Sequence, residues 1–151
     1  MESKIHKFVS DDYAQVSALL AANNLGVWKL DEYESGIGYV CKIKNKIVGF
    51  AWAMYSGKVA YFDCLVVAEG NRQKHFTGRS EIGLILCSHI FKELSDKGCT
   101  LMYGLLVNRP CNIAVRNFCK QALGMVTRDV LTVVKCNPET AYRKLEVLCG
   151  R

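Results

Sequence analysis

The spacing of apolar residues divides this chain into elements before any chemistry is considered. Residues 5–9 read as a first strand. Ser10-Asp11-Asp12 then offers a capping side chain and an acidic first turn, and Val16, Leu19 and Leu20 mark the buried face of the helix that follows. Asn23-Asn24-Leu25-Gly26 stops it, because Asn and Gly tolerate the left-handed backbone that a helix end requires. From 27 to 35 no period holds. Trp28, Leu30 and Tyr33 stand among charges there, which predicts a loop or a short helix.

Three strands are expected over 38–43, 47–55 and 59–67, joined by Lys44-Asn45-Lys46 and Ser56-Gly57-Lys58, turns short enough to make an antiparallel meander. A basic loop follows, and then a helix from about 80 to 97 with Ile82, Leu86, Ile90 and Leu94 on one face and Gly98 at its end. Residues 99–106 form a further apolar strand. Asn108-Arg109-Pro110 places a cap and a first-turn proline at the start of another helix, which Gly124 ends. A last long strand covers 125–136, and Asn137-Pro138-Glu139 opens a C-terminal helix with Tyr142, Leu145 and Leu148 facing inward. This order of elements predicts an α/β fold, a mixed sheet with helices on both faces.

Composition narrows the picture to one domain spanning residues 1–151. A chain of 151 residues, half of them apolar, buries roughly 70% of the surface its unfolded form exposes. Two prolines and twelve glycines are too few for a low-complexity tail or linker. Met1-Glu2-Ser3-Lys4 carries no leader pattern and no segment stays apolar long enough to cross a bilayer. A soluble, cytoplasmic protein with no membrane partner is therefore expected. The eight cysteines sit mostly inside apolar segments, as Cys64 and Cys136 do, and none has CxxC spacing. They read as buried, reduced thiols, with no disulfide scaffold and no metal site. A net charge of +6 favours anionic partners only weakly. Aromatic interleaving in the basic loop is limited to Phe76, which argues against nucleic acid.

The charge has a use in one place. The strand ending Leu65-Val66-Val67 runs into a loop bearing Arg72, Lys74, His75 and Arg79, and then into the helix that begins near residue 80. Free amides at a helix start, the helix dipole and nearby cations together attract an anion. Within the strand, Asp63 would be costly to bury without a partner or a purpose. It reads as a general base or as half of a salt bridge. His75 is a loop histidine, and His6 and His89 have no carboxylate at metal-ligand spacing.

With these residues in place, the chain from Ile5 to about Cys136 resembles the GNAT superfamily of acetyl-CoA-dependent N-acetyltransferases. Gly98-Cys99-Thr100-Leu101 corresponds to the glycine and apolar strand after the family's phosphate-loop helix. Asn112, then Ala114-Val115-Arg116 and Leu123-Gly124-Met125, corresponds to its later motif. The resemblance implies that the main chain of Leu65, Val66 and Val67 bonds the pantetheine of acetyl-CoA. It also implies that Gly83 is the last glycine of the phosphate motif and that Asn112 belongs to the cofactor site. Glu81 stands where the central glycine belongs, and Arg79 is one place out of register, with Gly78 at the Arg or Gln position. In a loop several residues longer than usual, Gly78, Arg79, Ser80 and the neighbouring cations would compensate. The implied reaction is direct attack of a primary amine on the acetyl thioester, which needs a base for the amine and an acid for the departing thiolate. Asp63 is the candidate base, with Glu69 the next carboxylate. The family's tyrosine acid falls on Phe118 or Cys119, and of these Cys119 can donate a proton. Trp28, Tyr33, Trp52 and Tyr55 fall in the region that shapes the family's acceptor pocket, although core packing explains Trp52 equally well.

A more diffuse resemblance joins the chain to small internal-virion or assembly proteins of short-tailed bacteriophages, with a lengthened Gly-Arg or Gly-Lys loop and no catalytic tyrosine. It implies a non-catalytic role in a virion or host cytoplasm, with an assembly partner in place of an acceptor. No residue pattern specifies the amine acceptor. The 125–136 strand and the C-terminal helix are the surface expected to serve a homo-oligomer.

Overall fold

The computed structural model describes residues 3–72, 81–107, 126–128 and 131–149. Among the described residues there are seven strands: β1 (Lys4–Lys7), β2 (Ile37–Ile43), β3 (Lys46–Ser56), β4 (Val59–Val67), β5 (Leu101–Val107), β6 (Val126–Arg128) and β7 (Leu131–Cys136). Four helices are described with them: α1 (Tyr13–Ala22), α2 (Leu30–Glu34), α3 (Glu81–Asp96) and α4 (Pro138–Cys149). The strands hydrogen-bond in the order β1-β2-β3-β4-β5-β7-β6. The β4–β5 pair is parallel, while β1–β2, β2–β3, β5–β7 and β6–β7 are antiparallel. The fold is thus mixed α/β with a mostly antiparallel central sheet flanked by helices. The helix expected between 108 and 124 lies outside the described residues.

The described residues gather into two compact units, one within Met1–Ala53 and Cys64–Ile90 and the other within Met54–Asp63 and Phe91–Arg151. The first is built on β1, β2 and most of β3. Lys44 and Asn45 take φ of 49° and 61° in the β2–β3 turn, the mirror-image conformation whose twist matches a two-residue hairpin. One face of these strands buries Phe8, Val40, Phe50 and Trp52 with Val16, Leu19 and Leu20 of α1, Tyr33 of α2, and Cys64 and Val66 of β4. Tyr33 is the hub, meeting Phe50 and Trp52 edge-on at centroid distances of 5.5 and 5.4 Å. On the opposite face Gly49 lies beneath α3. A Cβ there would stand 2.8 Å from Ile82 Cγ2 and 3.0 Å from Leu86 Cδ1, so the missing side chain lets helix and sheet approach.

Helix α1 stops as its sequence predicts. Asn24 has φ of 56°, and the Leu25 and Asn24 amides donate to the carbonyls of Leu20 and Ala21, each at 3.0 Å, the paired bonds of a Schellman end. Its start differs from the expected simple cap. Ser10–Asp12 forms a 3₁₀ turn, and the Asp12 carboxylate, 1% exposed, accepts from the Val9 amide at 3.2 Å, from Lys42 Nζ at 2.6 Å and from His6 Nε2 at 3.1 Å. Burial alone would raise the Asp12 pKa. The bonds from Lys42, Val9 and His6, with the Lys42 charge, outweigh it and hold the carboxyl below its ordinary value.

The second unit carries the parallel ladder, which joins Val59, Ala60 and Tyr61 to Leu101, Met102 and Tyr103. β5 runs on to pair with β7 from Met102↔Cys136 to Val107↔Leu131. The long strand expected over 125–136 is in fact two strands, β6 and β7, folded antiparallel with Val126 opposite Lys135 and Arg128 opposite Val133. Val and Thr on both sides of Arg128-Asp129 kept the pattern continuous in sequence, which hid the reversal. Gly98 has φ of 78° and closes α3 with the Cys99 amide on Leu94 and the Gly98 amide on Ser95. Asn137 caps α4 as expected, its Oδ1 accepting from the Glu139 amide at 2.9 Å. Ala141 and Leu145 are buried on that helix, while Tyr142 is half-buried and donates to Glu146.

Candidate functional site

The site is built from the end of β4. Phe62 meets Phe91 of α3 edge-on at 5.4 Å, and Cys64 packs in the cluster with Val16, Phe50 and Trp52. The parallel ladder ends at Tyr61↔Tyr103 although both strands continue. Past that rung β4 has main-chain groups that the ladder with β5 does not use. At the end of β4, Val66 and Val67 are buried and Leu65 is half-buried.

Arg72, expected among the phosphate-binding cations, is occupied elsewhere. Its Nε donates to the Val67 carbonyl at 2.8 Å and its Nη2 to Asn23 Oδ1. Asn23 caps the C-terminus of α1, donating to the Leu19 carbonyl at 2.8 Å. Arg72 thus ties the end of β4 to a helix C-terminus, where a cation also suits the helix dipole. Sequence reasoning missed this role because the partner is 49 residues away.

Helix α3 begins at Glu81, whose side chain is exposed, and Gly83 is buried two residues further in. A glutamate in the first turn suits the helix's own dipole but opposes an incoming anion. Gly78, Arg79 and Ser80 lie outside the described residues, as do Lys74, His75, Asn112, Phe118 and Cys119.

Asp63 is half-buried on β4. Burial, and then the Asp63 charge, push the Tyr61 phenol above its ordinary pKa, so carboxylate and phenol sit within electrostatic reach. The aromatic residues expected around an acceptor divide in two. Tyr33 and Trp52 are each 1% exposed and joined by a 3.1 Å bond from Trp52 Nε1 to the Tyr33 carbonyl, so they are core. Trp28 and Tyr55 are 43% and 38% exposed. The loop of Trp28 is fixed by Tyr13 Oη donating to its carbonyl and by its amide donating to Tyr33 Oη.

Cys41, Cys64, Cys87 and Cys99 are buried and in no disulfide. Burial pushes Cys41 up, and pushes Cys99 up against the lowering effect of Lys97, so neither is a thiolate nucleophile at neutral pH. Among the described residues no His, Cys, Asp and Glu side chains converge as a metal site, and no helix is long and apolar enough to cross a membrane.

No family model and no curated protein matches the sequence. Solved structures do match in fold. A PaiA N-acetyltransferase from Thermoplasma acidophilum in complex with coenzyme A aligns over 91% of this chain and 99% of its own, with a TM-score of 0.69 and 12% identity. The diaminobutyrate acetyltransferase EctA from Paenibacillus lautus, in complex with L-2,4-diaminobutyric acid and coenzyme A, covers 91% and 95% with a TM-score of 0.67 and 13% identity. A GNAT family acetyltransferase from Elizabethkingia anophelis with acetyl-CoA bound covers 89% and 97% with a TM-score of 0.61 and 15% identity. The fold is that of the GNAT-like acyl-CoA N-acyltransferases.

Proposed function

We propose that this protein is an acetyl-CoA-dependent N-acetyltransferase, a single domain that transfers the acetyl group to a primary amine by direct attack. The observation that carries the reading is the fold match over about nine-tenths of the chain to structures holding coenzyme A or acetyl-CoA. The end of the parallel ladder at Tyr61, with β4 running on to Val67, supports it locally. The main chain of Leu65 and Val66, the start of α3 with Gly83, the loop residues Gly78, Arg79 and Ser80, and Asn112 would hold the cofactor. The Val67 main chain would join them, its carbonyl also accepting from Arg72 Nε.

The thioester supplies the activated acyl group. Asp63 is the base that takes the proton of the attacking amine. Tyr55, on the same unit as Asp63, is the exposed aromatic offered to the acceptor, with Lys97 Nζ 5.1 Å from its ring centroid. Glu81 at the start of α3 favours a second reading, a non-catalytic protein on the same fold with an assembly partner. Release of coenzyme A thiol from acetyl-CoA, measured with and without 2-aminoethanol, L-lysine and a short peptide with a free amino terminus, separates the two. Amine-dependent release in the parent, lost in Asp63→Asn, is the expected result. No release with any acceptor contradicts the enzyme reading.

A further inference from the structure

The leaving thiolate needs a proton, and neither Phe118 nor Cys119 is the tyrosine that the family resemblance implies. Two tyrosines stand instead at the last rung of the parallel ladder. Tyr61 on β4 and Tyr103 on β5 are register partners, and partners on adjacent strands project from the same face. Both are half-buried, so each phenol keeps access to solvent or substrate. Asp63 follows two residues after Tyr61 on the same strand. Resting on the acetyl-transfer reading, we propose that Tyr61 is the general acid of this site and that Asp63 is both the amine's base and the group that restores the Tyr61 proton.

The protons and electron pairs balance. The amine lone pair forms the C–N bond at the thioester carbonyl carbon, and Asp63 takes a proton from that nitrogen. Collapse of the tetrahedral adduct breaks the C–S bond, leaving its electron pair on sulfur, which takes the Tyr61 Oη proton. Asp63 then passes its proton to the Tyr61 phenolate. Both groups return to their starting states, and the net change is one proton moved from nitrogen to sulfur. Burial and the Asp63 charge both favour the neutral phenol, so Tyr61 holds its proton wherever the reaction runs near neutrality. The titratable groups beside it are Asp63 on β4 and Tyr103 on β5, with Lys135, the register partner of Tyr103 on β7, one strand further on.

The test compares the parent with Y61F, D63N and C119A, using acetyl-CoA and the same three amines. Y61F should keep the parent's unfolding temperature and its response to acetyl-CoA while kcat falls about 10²-fold with KM unchanged. The kcat profile of the parent should stay level past about pH 9, where a thiol acid of ordinary pKa near 8.5 would already be spent. Should Y61F fail to fold, ultraviolet difference titration of the phenols still decides. D63N should move one tyrosine titration to lower pH in an otherwise parental protein. Parental turnover by Y61F, or a fall in kcat near pH 8.5 together with loss of activity in C119A, would overturn the assignment and leave acetyl transfer standing. Absence of turnover in the parent itself would sink both.

Discussion

Asp12 shows how one residue ties down the start of the fold. Its carboxylate gathers the Val9 amide, Lys42 and His6 in a place where an unpaired charge would be costly. Its folded pKa lies below its unfolded value, so the stabilisation is complete above the unfolded pKa of about 4 and drains away as pH falls through the folded pKa. Asp12→Ala should cost about 2 kcal/mol at pH 7, and the variant and parent should converge in urea midpoint as the solution is acidified. A gap that persists unchanged at low pH would mean that Asp12 acts by shape rather than charge. Sequence alone made Asp12 part of a helix cap. Its buried pairing was not legible, because Lys42 lies 30 positions away and is brought opposite Lys4 only by the β1–β2 register. Arg72 stood only among the loop cations for the same reason, since its partner Asn23 lies 49 positions away.

At the scale of elements, local signals were reliable where they act through the backbone. Asn24 and Gly98 end helices in the left-handed conformation, Asn137 caps α4, and β4 spans Val59–Val67 as its apolar pattern predicts. The β6–β7 reversal was illegible because its two arms share one composition. The approach of α3 to the sheet depends on Gly49, where a Cβ would crowd Ile82, Leu86 and, at 3.4 Å, Cys41. Gly49→Ala should therefore destabilise by about 1–3 kcal/mol, the usual cost of overpacking, read as a lower urea midpoint at unchanged slope. A neutral outcome would show that α3 slides to accommodate the methyl. Since α3 begins at Glu81, beside the loop assigned to the cofactor, the same substitution should also weaken acetyl-CoA binding.

For the molecule as a whole, the order of strands and helices carried the fold class, and the match to solved structures at 12–15% identity confirms that class without the sequence-level motif. The proposed phosphate loop was the least legible part. Glu81 and the displaced Arg79 break the spacing that would otherwise announce it. The central claim is that this loop and the end of β4 bind acetyl-CoA, and following thermal unfolding during an acetyl-CoA titration tests it most directly. At a hundred times its dissociation constant the ligand should stabilise the native state by about 2.7 kcal/mol, a rise in Tm of several degrees for a chain of this size. Arg79→Glu, with the parent's Tm in the absence of ligand, should abolish that rise. An unchanged Tm at millimolar acetyl-CoA in the parent, or an equal rise in Arg79→Glu, would contradict the account.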